Sequence, residues 1–263
     1  FPHSIFSYDV EYTVVTKPRS IPDVNESSSH SVSDILKTMR ERFCETEGPW
    51  QTDNLEIVSL AHKIAGNETR VLTIVKEFVK WIKGKISYGS GEVPKYPNET
   101  LKERFGDCDD QANLLITFCR IYGIPAHLQI GCIYLPSKTN ETSHYWGDHY
   151  VTTSLRMGWH GWAMVYIPPW GWLPVDLTYA KDISVDPLNA IKRSAITLQE
   201  TVQYLNITRT DYIASSASLR SFVEKHSFYI REYEEMTEES AITIVEQDQE
   251  PLREVAVSPV LSR

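Results

Sequence analysis

Between Gly106 and Pro125 the chain reads Gly-Asp-Cys-Asp-Asp-Gln-Ala-Asn-Leu-Leu-Ile-Thr-Phe-Cys-Arg-Ile-Tyr-Gly-Ile-Pro, a helix with both ends marked. Asp107 is an N-cap residue, and Asp110, three positions on, resembles the second half of a capping box, so Cys108 falls in the first turn. Gly123 followed by Ile124-Pro125 stops the helix. Cys108, Ala112, Leu115, Cys119 and Tyr122 recur at helical spacing and predict one core-facing stripe, so this helix is expected to be buried along its length. A thiol at its amino end lies beside unpaired backbone N–H groups and the positive end of the helix dipole, which favours thiolate and suits a nucleophile. Asp109 and Asp110 oppose that charge, and a small cysteine in a helix is more simply explained by packing. A nucleophilic reading therefore needs a histidine and a carboxylate from elsewhere in the chain.

Residues 160–179 contain both. His160 to Ile167, then Pro168-Pro169-Trp170-Gly171, then Trp172 to Tyr179 read as strand, tight turn, strand. A turn centred near Pro168 places Met164 opposite Trp172, Trp162 opposite Pro174, and His160 opposite Asp176. Opposed residues of an antiparallel pair share a face, with Cβ atoms about 4.5–5.5 Å apart, which lets a carboxylate orient an imidazole. The same count puts Ala163, Val165, Leu173 and Val175 on the other face. Cys108, His160 and Asp176 then have the roles of nucleophile, general base and orienter, for attack on an amide carbonyl and acyl transfer to water or an amine. The backbone N–H of Cys108 is a candidate oxyanion donor. No cofactor is needed for this chemistry.

Four blocks, Trp81 to Tyr88, Leu101-x-x-x-x-Gly-Asp-Cys108-Asp-Asp, Gly123-Ile-Pro-Ala126 and His160 to Thr178, resemble the transglutaminase-like domain of the papain-like cysteine hydrolase superfamily. The resemblance covers residues 53–180 and implies an α+β fold, its nucleophile helix packed on an antiparallel sheet, with N- and C-terminal β and helical additions. It also implies Cys108 as nucleophile, His160 as base and Asp176 as orienter. The family often has a small residue where Trp170 stands, and Trp81, a frequent family aromatic, is read as core packing. The organisation expected is an N-terminal strand, linker and helix over 1–52, the transglutaminase-like core over 53–180, and a helical and strand extension over 181–263.

Around this centre the pattern predicts a half-buried strand from Phe6 to Val14, a helix from Ser33 to Phe43, and helices over Asp53 to Ala65 and Glu68 to Ile82. Strands follow over Ala126 to Tyr134 and Tyr150 to Leu155. Leu198 to Leu205 and Leu219 to Met236 have helical composition, while Ala241 to Val245 and Glu254 to Val260 look like strands. The terminal strands are expected to build a small accessory sheet, open to self-association by strand addition. Trp146, Trp159, Trp162, Trp170 and Trp172 are expected near the mouth of the site, some as packing and some as a groove for peptide or glycan. His144, Asp148 and His149 lack the spacing and partners of a metal site, so no metal is expected.

The net charge of −9 comes without a basic stripe, which argues against nucleic acid as a partner. Asn-x-Ser/Thr acceptors at Asn25, Asn67, Asn98, Asn140 and Asn206 take five of the eight asparagines and predict N-linked glycans on an extracellular or cell-surface protein. No apolar run is long enough to cross a bilayer and no leader pattern is present; with Phe1 first, the sequence is expected to be a processed form or a fragment. Of the four cysteines, Cys119 and Cys132 are the expected disulfide if one forms, and buried free thiols fit equally well. The sequence thus favours an extracellular thiol-dependent amide hydrolase acting on peptide or protein. Cross-linking by amine transfer is the alternative chemistry, and a non-catalytic, self-assembling surface glycoprotein the alternative class.

Overall fold

Local signals build the helices at residues 55–65, 71–85 and 108–121 close to where the spacing places them. The computed structural model describes residues 5–11, 13, 21–194 and 201–237. Helix α1 spans Lys37–Phe43 and α2 Leu55–Ala65, the latter capped by the Asn54 side chain, which accepts from the N–H of Glu56 and Ile57. Gly66, at φ +57°, turns the chain out of α2 through a conformation that a side chain would strain. Helix α3, Val71–Lys85, buries Val71, Ile74, Val75, Phe78, Val79 and Ile82, the face expected from spacing. After the short strand β1, Ser87–Tyr88, come α4, Pro97–Glu103, and β2, Phe105–Gly106, which pairs parallel with β1.

Helix α5, Cys108–Ile121, is the centre of the molecule, and it is covered on every side, not on one stripe. Residues 110–120 are all buried, polar ones included. Each polar group that folds inward needs a partner there. Thr117 donates to the Asn113 carbonyl, Gln111 to the Gly106 carbonyl, and Arg120 to the carbonyls of Glu45, Ala126 and Thr208. Arg120 also lies 3.9 Å over the Trp50 ring, and Phe118 packs 5.2 Å from Phe78. Removing either phenyl ring from so filled a core would cost about 3–5 kcal/mol.

Strands β3, Ala126–Tyr134, β6, Met157–Ile167, β7, Gly171–Val175, and β8, Thr201–Ile207, form one antiparallel sheet in the order β7-β6-β3-β8. Ala126, Leu128, Ala163, Val165, Leu173 and Val175 belong to the core shared with α5. A second sheet, β4-β5-β9, joins Glu141–Tyr145, Tyr150–Leu155 and Ile230–Glu235, the last pair parallel. Helices α6, Asn189–Lys192, and α7, Tyr212–His226, complete the described chain. The arrangement is mixed α+β, with the central helix laid on an antiparallel sheet. Trp50, before the expected core boundary, and Ile207, after it, lie in the same hydrophobic cluster.

Several expected elements come out differently. Residues 5–11 and 13 form no strand; Ile5, Phe6 and Tyr8 are exposed, since no strand is paired with them to make alternation useful. The first helix starts at Lys37, after a single 3₁₀ turn at Val32–Asp34. Residues 201–205 of the helix expected over Leu198 to Leu205 belong instead to the strand Thr201–Ile207, which covers the free edge of β3. The helix expected over Leu219 to Met236 is α7, which begins at Tyr212 and stops at Ser227 in the left-handed region, followed by β9. The expected strands at Ala241 to Val245 and Glu254 to Val260 lie outside the described residues.

Candidate active site

The amino end of α5 is held by its own acids. Asp107 accepts from the Asp110 N–H at 3.4 Å while Asp110 accepts from the Asp107 N–H at 3.3 Å, the reciprocal cap expected from the sequence. Asp110 also takes the Lys95 N–H at 2.7 Å. Cys108 sits at the first helical position, half-buried. Strand β6 comes against this end at Gly161, where an added Cβ would stand 2.8 Å from the Asp109 Cβ. Only glycine allows that approach, and it brings the Gly161 N–H to 3.4 Å from the Cys108 sulfur.

Next to Gly161, His160 is 1% exposed, as is Asp176. The hairpin that carries them is slipped by two residues from the expected register: Met164 pairs with Pro174, not Trp172, and the turn runs through Pro168, Pro169 and Trp170. A slip of two preserves strand parity. His160 and Asp176 therefore stay on one face as diagonal neighbours, within reach of each other's side chains. His160 Nε2 lies 3.1 Å from Asp176 Oδ1. The ring N–H points off the line to that oxygen, so charge and proximity carry the contact more than alignment does. Nδ1 is buried with no hydrogen-bond partner. Asp176 is fixed in turn by the N–H groups of Thr178 and Tyr179, each 3.0 Å from the same oxygen, and the Tyr179 ring packs 4.6 Å from the imidazole.

The charges set the resting state of the thiol. Burial raises Asp176, but the His160 ring and the two backbone donors outweigh it and hold the carboxyl below its usual range. Cys108 goes the other way: burial first, then the negative charges of Asp109 and Asp107, push it well above an ordinary thiol, against smaller help from the N–H groups of Gly161 and Asp109. The thiolate expected from the helix dipole is thus overturned, because desolvation and two adjacent carboxylates exceed a dipole's contribution. Burial and Asp109 raise Asp107 to about 9 and Asp110 to about 6. Asp109 accepts a 2.6 Å hydrogen bond from Tyr212 of α7, whose hydroxyl also receives the Asn113 amide at 2.6 Å. Asp107, Cys108 and Asp109 bring three ligand-type atoms within 4.8 Å of one another, already engaged as cap, thiol and phenol acceptor.

The other residues singled out by sequence do not converge here. Cys119 and Cys132 form no disulfide, and all four cysteines are free thiols. The reason is directional: β3 runs back along α5, so Cys132 pairs with Trp159 near the Cys108 end, while Cys119 lies eleven residues up the helix, about 16 Å away along its axis. His144 contacts Asp148 at 2.8 Å and His149 donates to the Phe228 carbonyl at 2.6 Å, separate uses that form no shared site. Of the tryptophans, Trp162 does pack at the site, its ring 5.5 Å from that of His160, while Trp146 donates to the Glu92 carbonyl, Trp159 to Glu234, and Trp172 stands edge-on to His127. Of the glycan acceptors, Asn25, Asn67, Asn140 and Asn206 are exposed, Asn25 also capping a 3₁₀ turn and Asn206 accepting from Gln129 at 2.6 Å, and Asn98 is half-buried. Gly161, Tyr179, Tyr212 and Lys83 were not assigned roles from sequence. Only Gly161 carried a signal, as a glycine inside a run that reads as a strand.

Residues 58–177 match the transglutaminase-like superfamily. No curated protein matches the chain. Among solved structures, a protein from Cytophaga hutchinsonii described as a candidate cysteine protease is 22% identical, with a TM-score of 0.44, covering 69% of this chain and 57% of that one. The periplasmic domain of TgpA from Pseudomonas aeruginosa is 20% identical, with a TM-score of 0.40, covering 62% and 53%. The chain therefore spans a little over half the length of these structures, 57% and 53%.

Proposed function

Residues 58–177 belong to the transglutaminase-like superfamily, and from that premise we propose that the chain is a thiol-dependent amide hydrolase with Cys108 as nucleophile, His160 as general base and Asp176 as orienter. The observation that carries this reading is the buried His160–Asp176 contact, immediately beside the Gly161 N–H that lies 3.4 Å from the Cys108 sulfur. Asp176 occupies Nε2 and leaves Nδ1 to receive the thiol proton. The sulfur then attacks the amide carbon, the Cys108 N–H at the helix end donates to the oxyanion, and His160 returns the proton to the departing amine. Water, deprotonated by the same imidazole, cleaves the thioester and restores the thiol.

Because the thiol rests protonated, with Asp109 Oδ1 as its hydrogen-bond acceptor at 4.0 Å, the proposed base has a proton to remove before the sulfur can attack. A thiol-reactive amide mimic tests the assignment. It should label Cys108 in the wild type and fail with His160→Ala; labelling of both alike would overturn the proposed base. Incubation with a glutamine-containing peptide and a labelled primary amine tests hydrolysis against amine transfer, with incorporation of label overturning hydrolysis. The exposed acceptors Asn25, Asn67, Asn140 and Asn206 support an extracellular setting, and a mass loss on endoglycosidase treatment of protein from a glycosylating host is the expected result.

A further inference from the structure

A cleft of about 270 Å³ is lined by Lys83 in the last turn of α3, Tyr88 of β1, and Thr178 and Tyr179 just beyond Asp176. It opens on the site already described. Tyr179 packs on the His160 ring, and negative charge on Cys108 would act on both Tyr88 and Tyr179. The groups facing the cleft are donors: one ammonium and three hydroxyls. Lys76, Lys80 and Lys95 each pair with a glutamate, whereas Lys83 forms no ion pair among the described residues. The Thr178 hydroxyl is buried and lacks a hydrogen-bond partner. A half-buried ammonium without a counter-ion, in a chain of net charge −9, is costly unless something anionic completes it. Burial lowers Lys83 accordingly, while the nearby Asp176 charge acts to keep it protonated.

We propose that this cleft binds a carboxylate carried by the substrate close to its scissile amide, with Lys83 as the cation that positions it. The proposal rests on the hydrolase reading above and names its substrate class: peptides bearing either a free terminal carboxylate or an acidic side chain beside the cleaved bond. An ammonium–carboxylate contact flanked by hydroxyls is a charge-assisted arrangement of the stronger kind.

Alkylation of Cys108 tests it without a known substrate. Iodoacetate and iodoacetamide both transfer a carbon to the sulfur with loss of iodide, and differ in carrying a carboxylate or a neutral amide. Rates are read by mass spectrometry of the Cys108 peptide in wild type, Lys83→Met and Lys83→Arg. The iodoacetate-to-iodoacetamide ratio should fall about tenfold in Lys83→Met, the size of one charge-assisted contact, and be held by Lys83→Arg. A lysine serving only the helix end would shift the melting temperature and leave that ratio unchanged, and an unchanged ratio overturns the proposal. Acetyl-alanine and acetyl-glutamyl amide separate the two carboxylate sources. Protection of Cys108 from iodoacetamide by either one, lost in Lys83→Met, supports the cleft and identifies the source; protection by neither overturns it. Failure of both reagents to label wild-type Cys108 would instead refute the catalytic reading beneath it.

Discussion

Gly161→Ala probes the contact on which the site geometry depends. Alanine in a strand normally gains on glycine, by about 0.4–1 kcal/mol, because the unfolded chain loses freedom. At Gly161 the new methyl would stand 2.8 Å from the Asp109 Cβ and 3.3 Å from its Cα. Carbon atoms prefer about 3.5–4.0 Å, so the strand and the helix end must separate by several tenths of an ångström or more. Overpacking of this kind costs about 1–3 kcal/mol, which at this chain length lowers the melting temperature by about 2–12 °C. The same separation opens the 3.4 Å N–H contact to the Cys108 sulfur. Displacement of a reacting group by about 1 Å costs about 100-fold in rate, so Cys108 labelling by an amide mimic should slow by a factor of that order. Gly158, on the same strand, is the control: its added Cβ meets only the side chains of Leu135 and Lys138, at 3.4 and 3.7 Å. Gly158→Ala should therefore be neutral or mildly stabilising. Thermal denaturation of both variants decides the matter, and a Gly161→Ala protein that melts at or above wild type would refute the close-approach argument.

Four further outcomes follow from the same geometry. Asp176→Asn keeps an oxygen for the Thr178 and Tyr179 N–H groups but removes the charge beside His160, so Cys108 labelling should drop about 100-fold or more while the fold survives, as circular dichroism would show. Asp109→Asn retains an acceptor for Tyr212 and removes the largest charge acting on the thiol, so the pH midpoint of Cys108 alkylation should fall by about 1 unit; an unchanged or higher midpoint would contradict the electrostatic account. Stability should pass through a maximum in mild acid. Asp176, held below its usual range, contributes above the ordinary carboxylate value of 3.8 and loses that contribution as pH falls through its folded value; Asp110 and Asp107 contribute fully below 3.8 and lose it as pH rises through about 6 and about 9. Denaturant unfolding between pH 3 and 10 measures this, and stability that rises steadily to alkaline pH would count against it. Finally, thiol titration of the denatured, unreduced protein should find four reactive groups, where a disulfide would leave two.

Both ends of the central helix were legible because caps and stops are local: Asp107, Asp110 and Gly123 act within a few residues of themselves. The face shared by His160 and Asp176 was legible for a weaker reason. Strand parity repeats every two residues, so misplacing the turn by two left the pair on one side while its partners changed. The strand at residues 201–207 was illegible because what decides it is the open edge of β3, a demand set by a distant segment and absent from the local composition. The lost disulfide has the same origin: two cysteines on adjoining elements are close only if those elements run in the right sense, and β3 runs back along α5.

The thiol's charge is the case where a sound local rule gave the wrong sign. A helix end favours thiolate by a fraction of a unit charge, screened by whatever surrounds it. Here the surroundings are Asp107 and Asp109 on neighbouring positions, the Tyr212 ring packed from a remote helix, and a strand laid close against the helix end. The first of these was in the sequence; the other two are tertiary. On the proposed mechanism their combined effect moves the burden of activation from the helix to the imidazole, which has to remove a proton that the helix end cannot. A thiol that is protonated at rest then depends on His160 for its reactivity, toward an alkylating reagent as toward an amide. On that logic, filling the Lys83 cleft should also change how fast the sulfur reacts, and the helix end alone should not.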